Sequence, residues 1–140
     1  MVKLSVKKLN GDAIIPTRAH HDDAGMDLYT CGAIAVPPHA TVPVPTGIAM
    51  EIPSGSVGLI WDKSSVGVKG IKTLGGVIDA LYRGEVKVVV HNMNDTEVTF
   101  EHGQKIAQML IQKVELLAIE EVAELSNTVR GEGGFGSTGR

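Results

Sequence analysis

The sequence predicts an all-β domain, a jelly-roll β-barrel or sandwich, and three observations lead there. Seventeen glycines and six prolines are spread along 140 residues, and breakers at that density leave segments of about four to eight residues, the length of strands. The segments between them are rich in β-branched residues, as in Val86, Val88, Val89 and Val90. Pro37-Pro38, Pro43, Pro45 and Pro53 exclude long helices from the first half of the chain. Many short strands with evenly spaced turns are what a sandwich or jelly roll requires.

Taken in order, Val2, Leu4 and Val6 alternate with Lys3, Ser5 and Lys7, the period-two mark of a half-buried strand. Ala33–Val36, Gly47–Ile52 and Val57–Trp61 follow as short strands, and Glu85–His91 reads as a strand buried on both faces. Gly75-Gly76-Val77-Ile78-Asp79-Ala80-Leu81-Tyr82-Arg83-Gly84 is a hairpin signal. Gln104 to Leu125 contains no Gly or Pro, and Ile106, Met109, Leu110 and Val114 stand at helical spacing. Pattern alone gives a helix there; the alternative is one or two strands through Ile106–Ile111 and Val114–Ile119, and periodicity does not decide between them. The last eleven residues, Arg130 to Arg140, hold five glycines; such a stretch cannot pack a core and is expected to be disordered when free. Its two arginines, lone Phe135 and Ser137-Thr138 are nonetheless an inventory for clamping an anion and covering a flat ring.

Composition narrows the function classes. A net charge of −3 lacks the basic footprint of a general nucleic-acid binder. Lone Cys31 forms no intrachain disulfide and reads as a small core residue. No apolar run approaches the roughly 18–20 residues of a bilayer span, and the lysine-interrupted start lacks the apolar core of a signal peptide. A single soluble, cytoplasmic domain is the expectation. His20-His21-Asp22-Asp23 reads as a solvated loop, without the spacing of a metal site. Trp61 reads as a core or interface anchor.

Four segments carry chemistry-bearing residues besides the tail. Ala24-Gly25-Met26-Asp27-Leu28 sets an acid between apolar residues, and Asp62-Lys63-Ser64-Ser65-Val66-Gly67 offers a cation and two hydroxyls after a strand. The latter suits phosphate oxygens without having Walker spacing. The Gly75–Gly84 segment carries Asp79 and Tyr82, and Gly103-Gln104-Lys105-Ile106-Ala107-Gln108 puts a polar Gln in an apolar run. Singly, each is ordinary turn or loop material.

Together, in this order, these segments and the tail resemble the five motifs of the trimeric deoxyuridine triphosphatases: Ala24–Leu28, Lys63–Gly67, Gly76–Gly84, Lys105–Gln108 and Arg130–Gly139. The third and fifth are the most specific, and the resemblance spans effectively the whole chain. It implies a jelly-roll domain over residues 1–125, a C-terminal arm over 126–140, strands rather than a helix at Gln104–Leu117, and a homotrimer with active sites at subunit boundaries. The implied reaction is hydrolysis of dUTP to dUMP and pyrophosphate by in-line attack of water on the α-phosphorus, assisted by Mg²⁺.

By the same resemblance Asp79 is the general base, and Asp27 holds the metal through water. Ser64 meets the oxygen bridging the α- and β-phosphates, and Gln108 orders phosphate and water. Tyr82 lies under the deoxyribose and excludes a 2′-hydroxyl, while the backbone of Gly76, Val77 and Ile78 reads uracil. Lys63, Ser65 and Lys87 complete the substrate contacts of the body. Arg130, Phe135, Gly136, Ser137 and Thr138 match the arm residues that close over the nucleotide. There are departures: Lys63 replaces a usual Arg, Asp62 a usual Pro and Ser65 a common Gly, while Leu81 and Leu74 stand where acid and Asn occur. A dCTP deaminase needs a Glu on the strand after the third motif, where this chain has Val89. A non-catalytic dUTP-binding regulator is the remaining alternative, against which the intact Asp79 argues.

Overall fold

A computed structural model describes residues 2–139. Its strands are β1 (Ser5–Lys8), β2 (Met26–Tyr29), β3 (Ile34–Val36), β4 (Thr41–Pro45), β5 (Ile48–Glu51), β6 (Ser56–Asp62), β7 (Ile71–Thr73), β8 (Val77–Ile78), β9 (Lys87–Asn92), β10 (Val98–Phe100) and β11 (Lys105–Lys113). One helical turn, α1 (Ser64–Gly67), follows β6. The strands form antiparallel sheets in the orders β2-β11-β6-β8, β4-β9-β7, β1-β5 and β10-β3. The fold is a jelly roll, as expected. All four sheets contribute to its core: Leu28, Ile60, Ile106 and Met109 from the first, Val44, Val88, Val90 and Ile71 from the second, with Ile48, Met50, Val36 and Phe100.

The predicted runs become β1, β3, β5, β6 and β9, with β1 confined to the second half of its alternating stretch. Four expectations need correction. β9 is buried on one face only, since Val88, Val90 and Asn92 are buried while Val89 and His91 are half-buried and Lys87 exposed. Gly75–Gly84 closes no hairpin: β8 pairs with β6, and β9 pairs with β4 and β7, so the segment crosses between two sheets. Gln104–Leu117 holds a strand and no helix, but the strand ends at Lys113. Trp61 is 54% exposed and therefore no core residue of this chain. Cys31 is half-buried against Gly47.

β4 forms despite Pro43 and Pro45 because it pairs only with β9, leaving its other side without a ladder. The carbonyl of Pro45 faces that open side and accepts Cys31 N–H at 2.9 Å. A proline whose missing N–H faces away from the ladder costs no sheet hydrogen bond.

β11 carries the feature that builds the site. Its register to β2 shifts between Lys105, opposite Tyr29, and Ala107, opposite Leu28. Ile106 is the extra residue of a β-bulge, and both Ile106 and Ala107 are fully buried. In an unbroken strand Lys105 and Gln108 would point to opposite faces. The bulge reverses the parity, so that Lys105 joins Gln108 and Asp27, which are opposite one another, on the outer face.

Candidate active site

Asp27 is the centre of the first cluster. It is 6% exposed, with Lys63 Nζ donating to Oδ1 at 2.5 Å and Lys105 Nζ donating to Oδ2 at 2.9 Å. Burial acts to raise the Asp27 carboxyl, but hydrogen bonds and charge from the two lysines prevail and hold it below its ordinary value. Lys105 is raised in return, chiefly by its hydrogen bond to Asp27. Because the carboxyl is lowered by folding, its contribution to stability is present above the ordinary carboxylate range and is lost as pH falls below it.

Gln108 stands beside this pair, its Nε2 donating to the carbonyl of Asp62 at 2.9 Å. A Cβ on Gly25 would lie 2.1 Å from Gln108 Oε1 and 3.0 Å from its Cδ, so only glycine lets the amide lie where it does. Gly25→Ala should therefore push Gln108 off Asp62, costing about 1 kcal/mol of stability and lowering turnover about 10–100-fold through misplacement alone. A turnover equal to the parent's, measured on a folded variant, would contradict the role that the resemblance implies for Gln108.

Asp62 does not turn its charge on this cluster. It accepts from Thr73 N–H at 2.8 Å and Thr73 Oγ1 at 2.7 Å, and it pairs with Lys72. Burial works to raise its carboxyl, and these hydrogen bonds lower it below the ordinary value. The departure at this position is thus a tie from the end of β6 to β7. Ser64 and Ser65 are exposed on α1, immediately after Lys63.

The second cluster surrounds a cavity of about 230 Å³ lined by Val77, Ile78, Asp79, Tyr82, Glu85 and Lys87. Tyr82 N–H donates to the carbonyl of Asp79 at 3.1 Å, closing a turn, and Tyr82 Oη donates to the carbonyl of Glu85 at 2.8 Å. A Cβ on Gly84 would lie 2.5 Å from Tyr82 Oη, so glycine there makes room for the ring. Gly76, with φ of 119°, brings the chain so close to β6 that a Cβ would lie 2.6 Å from Ile60 Cβ. Its carbonyl accepts Ile60 N–H at 2.9 Å. Val77 and Ile78 are thereby held at the cavity's edge with an acid, a ring and a lysine around it.

The two clusters do not meet within one chain. Ile78 is opposite Gly58, which sets Asp79 level with Val57, six residues before Lys63 along β6; at about 3.3 Å per residue that is about 20 Å. The arm meets neither cluster. Beyond Val114, whose N–H donates to the carbonyl of Gly55 at 3.0 Å, residues 115–132 are all exposed. Phe135 is fully exposed, and Arg130 Nε donates to the carbonyl of Gly133 within the arm itself. Gly136, Ser137 and Thr138 are exposed beside Phe135.

Among the described residues, no three His, Cys, Asp or Glu side chains form a metal cage, and the His20–Asp23 loop is held by hydrogen bonds of its own. Each Asp27 oxygen retains a second lone pair, so the carboxylate could accept a hydrogen bond from water bound to a cation.

Lys105 was not singled out as a functional residue by the sequence reading. Its role depends on the bulge at Ile106, which no local pattern in the sequence marks.

An antiparallel jelly roll with a lysine-bracketed acid on one sheet and a separate cavity around Asp79 and Tyr82 defines the class of β-fold. Within that class the chain belongs to the dUTPase family, whose model matches residues 11–139. It is 44% identical over 142 residues to a deoxyuridine 5′-triphosphate nucleotidohydrolase of Clostridioides difficile, covering 99% of each chain. A protein of the same name from Corynebacterium glutamicum is 42% identical, covering all of this chain and 97% of its own. Among solved structures, the dUTPase of Staphylococcus bacteriophage 80alpha with dUPNHPP superposes at a TM-score of 0.94, with 29% identity and complete coverage of both chains.

Proposed function

We propose that the protein hydrolyses dUTP to dUMP and pyrophosphate, a dUTP diphosphatase that keeps uracil out of DNA and supplies dUMP for dTMP synthesis. The observation that carries this reading is the shared cavity of Asp79, Tyr82, Lys87 and the Val77–Ile78 backbone, in a chain of this family. Uracil pairs its edge with the backbone of Gly76, Val77 and Ile78. The deoxyribose lies on Tyr82, where a 2′-hydroxyl finds no room. Asp79 accepts the proton of the attacking water as the new P–O bond forms at the α-phosphorus. Ser64 donates to the α,β-bridging oxygen, on which negative charge grows as pyrophosphate leaves, and Lys63 and Ser65 take further phosphate oxygens. Gln108 orients phosphate and water. Mg²⁺, when bound with the nucleotide, supplies neutralisation of the triphosphate charge, and Asp27 is the residue placed to hold its waters.

A separation of about 20 Å between Asp79 and Lys63 supports a site assembled from more than one chain, in a homotrimer. Leu116, Leu117 and Ile119 in the exposed segment after β11 are 75–101% exposed, which favours burial against another copy. The arm, from about residue 126, then lays Phe135 on uracil while Arg130, Gly136, Ser137 and Thr138 enclose the phosphates. The strand after the third motif carries a half-buried Val89 in place of an acid, which disfavours deamination, and the intact Asp79 disfavours a purely regulatory binder. The soluble, cytoplasmic setting expected of the chain fits this reaction, and no helix among the described residues is long and apolar enough to cross a membrane.

Pyrophosphate release from dUTP, UTP, dTTP and dCTP with Mg²⁺ tests the reading. Release from dUTP alone is the expected result. Equal release from UTP would remove Tyr82 from its role, and no release with dUTP still bound would favour the regulatory alternative.

A further inference from the structure

Asp27 is already compensated twice in the free chain, and its two lysines differ in setting. Lys105 reaches Asp27 Oδ2 from β11 at 2.9 Å, whereas Lys63 reaches Oδ1 at 2.5 Å and is the less exposed of the two. Lys63 pairs with Asp27 and is followed directly in the chain by Ser64 and Ser65 of α1, the exposed hydroxyls assigned to phosphate. Its ammonium sits at the tip of a four-carbon stem and can change acceptor by rotation of the side chain, without backbone movement. A guanidinium's planar fork could grip carboxylate and phosphate together; an ammonium is a point donor that favours one.

We infer that Lys63 is an exchangeable counter-ion: it neutralises Asp27 in the free protein and passes to the incoming phosphates when a divalent cation carried by them takes its place. The inference rests on the proposed reaction for the identity of the anion and of the metal's partner. Its charge logic is local. Asp27, Lys63 and Lys105 sum to +1, so a bare divalent cation meets a positive cluster. A bare polyphosphate can draw Lys63 away only by leaving Asp27 with one lysine, facing an anion. A polyphosphate that brings its cation satisfies Asp27 and Lys63 at once. Lys63 thus acts as a positioning residue that makes phosphate binding depend on the metal, through Asp27.

The test is a double-mutant cycle on the full chain, with inorganic triphosphate as the probe and calorimetry as the readout. Without Mg²⁺, Asp27→Asn should tighten triphosphate binding about tenfold when Lys63 is present, and by less than about twofold in the Lys63→Met background. Equal tightening in both backgrounds would mean that only the loss of a negative charge matters, and would overturn the exchange. Should Asp27→Asn fail to fold, a comparison that leaves Asp27 intact decides. Mg²⁺ should strengthen triphosphate binding by a factor about fivefold larger in the parent than in Lys63→Met. A factor equal or larger in Lys63→Met would overturn the inference. Neither measurement needs uracil or turnover. Failure to hydrolyse dUTP would sink the proposed reaction alone, and failure of the cycle in an active enzyme would sink the exchange alone.

Discussion

Asp79→Asn should lower pyrophosphate release from dUTP about 1,000-fold, the contribution typical of a positioned base, and leave dUTP binding within about threefold. The asymmetry follows from what the side chain touches. Asp79 is exposed at the mouth of the cavity it shares with Tyr82 and Lys87, and none of the core depends on it. Asparagine matches it in shape and keeps a carbonyl oxygen to hold the water, but cannot take its proton. Loss of binding in step with turnover would make Asp79 a substrate clamp; unimpaired turnover would place the base elsewhere.

Removing residues 130–140 should lower kcat about 100-fold or more while the melting temperature stays within about 2 °C of the parent. The structural half of that expectation rests on the exposure of residues 130–132 and of Phe135, and on the core's being built from residues 13–109. The catalytic half rests on the chemistry lost: a guanidinium and two hydroxyls for charge that grows in the transition state, and an aromatic lid that keeps bulk water out. Full activity in the truncated chain would reduce the arm to a frayed end.

What the sequence disclosed depended on how local the determinant was. The short apolar runs at Val57–Trp61 and Val86–Val90 marked β6 and β9 because each strand's own residues carry the signal. β11 was ambiguous for a physical reason. The bulge at Ile106 breaks the period of two, and half-buried Leu110 adds an apolar residue on the outer face. Together they place Ile106, Met109 and Leu110 at spacings that imitate a helix, and the family resemblance, not the periodicity, favoured a strand. β4 hid behind its prolines because only its pairing to a single neighbour makes them tolerable. Asp27, Gln108, Asp79 and Tyr82 were legible as motif residues. The lysine bracket on Asp27 was not, since it joins residues 36 apart on one side and needs a bulge on the other.

The central claim is that Asp79 of one chain works with the arm and lysine cluster of others. Two dead variants test it: Asp79→Asn, which keeps its arm, and the chain lacking residues 130–140, which keeps Asp79. Unfolded together and refolded as a mixture, they should regain dUTP hydrolysis well above the sum of the two refolded separately, because mixed assemblies contain sites with an intact base and an intact arm. Mixed assemblies that form, by mass, yet stay as inactive as either parent would contradict a site shared between chains.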